Sequence, residues 1–569
     1  MIDNKEIKLT QYVDDLTIFV SDSKSAGKVF KILDKFRLAS GLKVNKEKSE
    51  GLWLGQNREC KQKLYGIKWP SEPIKILGVY FSYDCKAAEN YNFVTKLEKL
   101  SRQLHWWKAR DLSLIGKVLL LKTIGISQFM FLANVIHVPE QIIKKVNSCL
   151  YQFLWGTKCE KVKRDIVIQD YESGGILMCD FENCVKACKI KWIKSYLTGN
   201  SMAKWIHTFE YLCGKGNLSL FLQSNFEMNE LGELPLYYFD CIKYWRQMKS
   251  ESVTSKEDLN NQWLWYNTNV RINSKTVYNS NMFKSGLWNV NDLYDKGELI
   301  PFNVWLNRGV HSSNYMLWRG IINALPVVWK TLLKLNTEVS KELKPCSVLI
   351  KMGSYLPLQK IESKHIKTAE TYRRYQRLCT NDFKAKNKYH SEFEISPNEW
   401  KKIYILPFET LLENRIIDLQ YKILHRIIGT NTLLYKIGKN NSPNCMNCQM
   451  YKETISHLFY LCIHVKNFWL QLCVKLKEYN GIELILSCKD VILYKVIEGK
   501  DEYLLINVII LYGKSYIYKC KMQNEEPTFE SFIMFMLSKK RIFEHVNIND
   551  QRLKFVYLQM FCFIEKCLR

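Results

Sequence analysis

Phe93, Leu97, Leu100, Leu104 and Trp107 are spaced four, three, four and three residues apart. That is the period of one apolar face of an α-helix. Before residue 90 the pattern is different. Ile7, Leu9 and Val13 alternate before the two Asp, and Leu16, Ile18 and Val20 after them, which predicts strand, turn and strand over residues 7–20. The change of period constrains the fold more than any other feature: a short α+β portion first, then a long helical one. Within the first portion, Ser21-Asp22-Ser23 offers caps for a helix carrying Val29, Ile32, Leu33 and Phe36 on one face, and Gly41 is its stop. Strand-like segments follow around Leu52–Leu54 and Ile74–Tyr80.

With 569 residues the chain is too long for a single core. Its segments read as 1–88, 89–210, 211–397, 398–475 and 476–569. "DLSLIGKVLLLK" opens a helix capped by Ser113, and helical patterning runs to about 210, interrupted at Gly174-Gly175. Residues 211–345 are rich in Trp, Tyr and Asn but only weakly periodic. Residues 360–388 hold nine Lys/Arg against three acids, with Tyr372, Tyr375, Phe383 and Tyr389 in or beside the run: a solvated linker, or a basic strip with stacking aromatics. Leu412, Ile416, Leu419, Ile423 and Ile427 predict a helix capped by Thr410 and ended by Gly429.

The charge narrows the function. Lys and Arg number 83 and Asp and Glu 56, a formal net charge of +27. Such an excess attracts polyanions and suits phosphate-backbone binding. The longest uncharged apolar runs, 123–136 and 504–513, are shorter than a bilayer span requires, and the sequence opens without a leader-like segment. The expectation is an intracellular, soluble protein without a membrane partner. Its 19 scattered Cys then read as buried thiols or metal ligands rather than disulfides.

Two constellations carry chemistry. Asp14 and Asp15 lie together in "QYVDDLTIFV". Adjacent carboxylates repel, and Mg²⁺ (or Mn²⁺) neutralises them while keeping places for water and substrate phosphates. Alternatively, Asp-Asp makes a soluble turn. Near the other end, "CMNCQMYKETISHLFYLC" sets Cys445, Cys448, His457 and Cys462 in a C-x₂-C-x₈-H-x₄-C pattern that suits a structural Zn²⁺, with His464 as the alternative fourth ligand.

Tyr-Val-Asp-Asp between apolar strands resembles the catalytic hairpin of reverse transcriptases. "SGLKVNKEKSEGLWLG" and "IKILGVYFS" resemble the next block and the primer-grip hairpin of the LINE-type, non-LTR retrotransposon enzymes. "DLSLIGKVLLLKTIGISQFMFL" and "ESGGILMCDFENCVKACKIKWI" are similar to their thumb and the segment after it, and "ETISHLFYLC" to their C-terminal Cys/His cluster. The resemblance implies a partial palm at 1–88, a thumb at 89–210, a connector at 211–397 and a zinc module at 398–475. The implied activity is RNA-templated DNA synthesis on an RNA template and DNA primer, in the nucleus. Asp14 and Asp15 match the metal-binding pair, Tyr12 the aromatic near the primer terminus, Lys48 a general acid, and Ile76, Leu77 and Gly78 the primer-grip turn. Lys96, Lys99, Arg102, Lys108, Arg110, Lys117 and Lys122 are candidates for phosphate contacts, and His105 and Trp106 for stacking on bases, whereas Trp107 continues the apolar stripe. The family's active site needs a further Asp upstream and fingers, for which Met1 to Gln11 have no match. The expectation is a truncated enzyme that does not polymerise by itself; the rival reading is a non-catalytic basic RNA- or DNA-binding protein.

Overall fold

A computed structural model describes residues 6, 8–70, 73–197, 204–213, 218, 222, 234–249, 259, 262–335, 372, 384–481, 483–494, 501–544 and 548–568. The chain divides into two units interleaved along the sequence: Met1–Leu100, Gln128–Lys144 and Phe181–Tyr375 in the first, and Ser101–Ser127, Lys145–Asp180 and Gln376–Arg569 in the second. Helices dominate the described residues, and the strands form two-stranded hairpins, none joined to another.

β1 (Leu9–Tyr12) and β2 (Asp15–Ile18) pair antiparallel, Leu9 opposite Ile18 and Tyr12 opposite Asp15. The reversal is therefore Val13-Asp14, and Asp15 already belongs to the second strand. Val13 takes a left-handed φ of 54°, a costly conformation for a β-branched residue. α1 (Ser23–Ser40) starts at Asp22, whose carboxylate accepts from the Ser25 N–H at 2.6 Å, and stops at left-handed Gly41, as the sequence predicts. None of its residues is buried; Ile32 and Phe36 of the expected apolar face are 64% and 54% exposed. Ile7 lies outside the described residues.

Leu52–Leu54 is not a strand. Glu50 makes one isolated bridge to Lys68, and the segment is held by stacking of Trp53 on Trp69 at 4.7 Å. β3 (Ile74–Ile76) and β4 (Val79–Phe81) form a true hairpin, turned by Leu77 and Gly78 at φ 47° and 86°. Two consecutive positive φ values are the turn that matches strand twist.

α2 (Thr95–Lys108) buries Leu100 and Leu104, with Phe93 buried just before it. Ser113 caps the next helix through its hydroxyl, which accepts from the Gly116 N–H at 3.1 Å. This helix, α3 (Leu114–Val135), is 22 residues long and apolar enough to cross a membrane, where the sequence had offered no such run. Lys117 and Lys122 had hidden it by breaking the uncharged stretch. Leu114, Val118, Leu121, Ile126, Phe129 and Leu132 are buried within the protein, as in a core helix.

In the first unit, the C-terminal carbonyls of α3 meet α5 (Phe181–Leu197), whose predecessor is α4 (Glu140–Trp155). Lys189, fully buried, donates to the Ala133 and Ile136 carbonyls at 2.8 and 2.5 Å, and the Trp192 indole donates to the Asn134 carbonyl at 2.7 Å. A cation at a helix C-terminus satisfies orphan carbonyls and the helix dipole together. Burial lowers the Lys189 pKa to about 8. Residues 259–333 form a separate core around Trp263, Trp265, Trp288, Trp305, Trp318 and Trp329. Their short helices and two-residue strands explain why no period was visible there.

The second unit has its core in α6 (Pro397–Thr410), α7 (Asn414–Leu424), α9 (Ile463–Asn480), α10 (Asp501–Gln523), α11 (Phe529–Phe543) and α12 (Gln551–Lys566), and the short α8 (Asn431–Lys436) follows α7 in the chain. Ser396 and Glu399 close α6 with a reciprocal cap. Thr410 does not cap the following helix. It ends α6, its hydroxyl donating to the Leu406 carbonyl at 2.7 Å, and α7 begins beyond Glu413. Nor does Gly429 end that helix: α7 stops at Leu424, and left-handed Arg426 breaks it. The basic run 360–388 lies outside the described residues except for Tyr372 and 384–388.

Candidate metal centre and nucleic-acid surface

The Cys/His cluster is built by one reversal and one wide helical turn. The Cys445 N–H donates to the Tyr451 carbonyl at 2.8 Å, and the Gln449 N–H donates back to the Cys445 carbonyl at 2.9 Å. Gln449 is left-handed, with φ 55°, so the chain doubles back and sets Cys448 beside Cys445. His457–Leu461 then winds as a π-helical turn, and Cys462 follows as the residue that starts α9. The Cys462 N–H bonds the His457 carbonyl at 3.1 Å, which brings the two side chains to the same side.

The four donor atoms lie within 4.8 Å of one another. Cys445 Sγ is 3.9 Å from Cys462 Sγ, and Cys448 Sγ is 3.3 Å from His457 Nε2. A tetrahedral zinc with bonds of about 2.3 Å to sulfur has S···S edges of about 3.8 Å, so the arrangement has the right size. Cys445, His457 and Cys462 are buried and Cys448 half-buried. Four protein donors leave no open position, the mark of a structural rather than a catalytic site. The cluster can hold a structural zinc. A hydrogen bond from Cys462 holds the Cys445 thiol down at about 4, while the same contact pushes Cys462 up. A cation would take the place of that shared proton. His464 points elsewhere, its Nδ1 3.3 Å from Glu526, so Cys462 is the fourth member of the cluster.

A support that no sequence motif announced lies beneath the reversal. Glu453, 2% exposed, accepts from the Asn431 N–H at 2.7 Å and from the Lys521 ammonium of α10. Asn431 donates to the Asn444 carbonyl at 2.8 Å, one residue before Cys445. A buried carboxylate that accepts from two donors is a strong constraint, yet in sequence Glu453 is an ordinary loop acid.

At the N-terminal hairpin, Asp14 and Asp15 are both exposed, as are Tyr12 at 66% and Val13 at 77%. Among the described residues no third His, Cys, Asp or Glu joins the pair to form a metal-holding group. Lys48 sits on an exposed turn whose N–H is held by the Asn45 side chain at 3.2 Å. Ile76, Leu77 and Gly78 make the β3–β4 turn, with Leu77 half exposed and Gly78 backed by Phe131.

The basic candidates differ in placement. Lys99, Arg102, Lys108, Arg110 and Lys122 are exposed, with the Arg110 guanidinium over the Trp107 ring at 5.2 Å. Lys96 is half-buried, and desolvation, then Lys75 and Lys99, lower its pKa. Lys117 turns inward and donates to the Leu154 carbonyl at 3.3 Å; desolvation lowers its pKa too. His105 and Trp106 are exposed, Trp106 at 77%, and Trp107 is half-buried.

No protein-family model matches the chain. Among curated proteins it is similar to the uncharacterized 149 kDa protein of transposon TX1 from Xenopus laevis, with 25% identity over 307 residues. The match covers 51% of this chain and 23% of that protein, so the chain spans about a quarter of the length of its relative. The similarity supports a transposable-element origin.

Proposed function

We propose that this is a non-LTR retrotransposon-derived protein whose activity is nucleic-acid binding, and whose Asp14-Asp15 hairpin is one part of an RNA-directed DNA polymerase site. The observation that carries the polymerase reading is the hairpin: Tyr12 pairs with Asp15 across a tight turn, which sets two carboxylates at an exposed tip between apolar strands. In two-metal nucleotidyl transfer such carboxylates hold the ions that activate a primer 3′-hydroxyl and steady the leaving pyrophosphate. Here Asp14 and Asp15 would hold Mg²⁺, and Tyr12, exposed beside them, would face the primer terminus. The pair needs a further carboxylate to close the metal cage, and among the described residues none stands with it.

The second reading, a binding protein without catalysis, is favoured by that same half-site together with the net charge of +27. Primer extension on a primed RNA with Mg²⁺ or Mn²⁺ separates the two. No product, alongside salt-dependent binding of the same duplex, supports binding alone; product that disappears in Asp14→Asn would establish a working polymerase site.

A further inference from the structure

Tyr266 and Tyr278 lie ring on ring at the edge of the Trp-rich core, with centres 5.1 Å apart and planes 12° from parallel. Tyr278 is 41% exposed and Tyr266 half-buried. The neighbours of Tyr266 are inside: Trp265, fully buried, donates its indole N–H to the Leu287 carbonyl at 2.6 Å, and Asn267, fully buried, donates to the Trp263 carbonyl at 2.5 Å. Between these two anchors Tyr266 takes a φ of 50°, a costly conformation for an aromatic residue. Its N–H donates to the Val277 carbonyl at 3.0 Å, which seats Tyr278 beside it.

The adjoining hairpin brings in a cation. β5 (Arg271–Ile272) and β6 (Lys275–Thr276) pair antiparallel around Asn273 and Ser274, both left-handed at φ 52° and 63°. Arg271 stands opposite Thr276, and Thr276 and Tyr278 share a face by strand alternation, with buried Val277 between them on the other. Arg271 is therefore on the tyrosine side. It is exposed, and its Nε donates to the Thr268 carbonyl at 3.0 Å, which orients the guanidinium. Ile272 packs instead on the helix Tyr315–Ala324, so closely that a Cβ on Gly320 would lie 2.8 Å from its Cδ1.

Charge decides what this surface takes. Residues 262–291 and 299–335 contain seven Lys/Arg and no Asp or Glu. The acids of this core fall within 292–298, where Asp292 accepts from the Trp288 and Asn289 N–H groups at 2.9 and 2.7 Å. A solvent-reaching aromatic stack beside an oriented guanidinium, in acid-free sequence, fits a flat ring that carries an anion next to it. An unpaired nucleotide has that form, whereas a duplex keeps its base faces in its own stack.

We propose that Tyr266 and Tyr278 extend their stack by one unpaired base of a single-stranded nucleic acid, with Arg271 holding an adjacent phosphate. This rests on the nucleic-acid-binding reading above and deepens it by naming single strands as the class of ligand bound at this place.

The test uses the full chain with fluorescein-labelled single-stranded RNA, single-stranded DNA and duplex DNA of equal length, affinity being read by fluorescence anisotropy from 50 to 200 mM KCl. Tyr278→Ala should bind both single strands about tenfold more weakly and the duplex as the wild type does. Tyr278→Phe should match the wild type on all three, because stacking needs the ring and not the hydroxyl. Arg271→Ala should reduce the slope of log K against log salt on single strands by about 0.7, and Arg271→Lys should restore it. Tyr211→Ala removes another exposed tyrosine, 52% exposed, and should change nothing. Near-UV circular dichroism of the tryptophans checks that each variant is folded. In the wild type, irradiation of a bound strand carrying 5-iodouridine should crosslink Tyr266 or Tyr278, a readout that needs no substitution. Crosslinks confined to other residues, or a Tyr278→Ala loss equal on duplex and single strands, would overturn the stacking site while nucleic-acid binding stands. If the wild type shows no salt-dependent binding to any probe, the broader reading fails and takes this site with it.

Discussion

His425 Nε2 donates to the Gly174 carbonyl at 2.8 Å, linking residues 251 apart in the sequence. A carbonyl only accepts, so this contact places a proton on Nε2 of the imidazole. The ring is 8% exposed, with Tyr421 at 4.3 Å and Tyr404 at 6.2 Å between ring centres. Burial pushes its pKa down to about 4, and the Gly174 contact opposes the shift only in part.

A pH dependence follows. The unfolded chain takes up a proton near 6.5 and the folded one only near 4, so protons favour unfolding in the window between. The stability attached to His425 is fully present above the unfolded value and is lost as pH falls through that window, by about 3 kcal/mol. Urea unfolding of the second unit's core should show that loss between pH 7 and pH 4. In His425→Gln the loss should shrink even though the starting stability is lower.

The metal centre predicts one zinc per chain by elemental analysis of protein purified without added metal. Cys445→Ser and Cys462→Ser should each lose most of it, because either leaves three ligands around an ion that structural sites hold with four. His464→Ala should keep its zinc, since that ring faces Glu526. Removing the metal with a strong chelator should lower the melting temperature, because binding free energy at such a site is folding free energy. Zinc that persists in Cys462→Ser and vanishes in His464→Ala would reverse the ligand assignment.

Glu453 and Lys521 predict an asymmetry between single and double variants. Their side chains are 2% and 10% exposed, so Glu453→Gln strands a buried ammonium and should destabilise by about 3–5 kcal/mol. Glu453→Gln/Lys521→Met removes both charges and should recover a large part of that loss. Zinc affinity should follow the same order, because Asn431, hydrogen-bonded to both partners of the pair, also holds the Asn444 carbonyl next to Cys445. Equal stability of the single and double variants would sink the argument.

The sequence disclosed what short-range chemistry determines. Asp22 and Ser113 as caps, Gly41 as a stop, the stripe of Phe93, Leu100 and Leu104, and the spacing of Cys445, Cys448, His457 and Cys462 are all local patterns, and they hold. What was hidden depends on partners far along the chain. Glu453 looks like a loop acid until Lys521 arrives 68 residues later, and Lys189 like a surface lysine until the end of α3 turns its carbonyls toward it. Thr410 carries a good cap residue type, but its hydroxyl found the Leu406 carbonyl first, a competition that composition cannot decide. The choice between Cys462 and His464 needed Glu526, 62 residues further on. The Trp-rich middle was opaque for another reason: much of it is two-residue strands and helices of five or six residues, which interrupt any period set by its few longer helices.

Gly174-Gly175 read as a helix interruption, and the structure makes it a requirement of packing. Gly174 is left-handed at φ 78°, and a Cβ there would lie 2.9 Å from the Tyr404 ring. At Gly175 the constraint is harder. Its N–H bonds the Asp170 carbonyl at 2.9 Å, and a Cβ would sit 2.0 Å from the Gln169 carbonyl oxygen. The obstruction is backbone, held by the return of the chain, in which the Leu177 N–H bonds that same Gln169 carbonyl at 2.9 Å. No side-chain movement can relieve it. Gly175→Ala should therefore break the loop rather than strain it, costing about 3 kcal/mol or more against the few tenths typical of an exposed substitution. Displacing this loop also withdraws the Gly174 carbonyl from His425. The imidazole should then regain water and titrate closer to its ordinary value. NMR titration of His425 in Gly175→Ala checks both steps at once: a ring that still resists protonation down to about 4, in a variant as stable as the wild type, would mean that the loop has room the structure denies it.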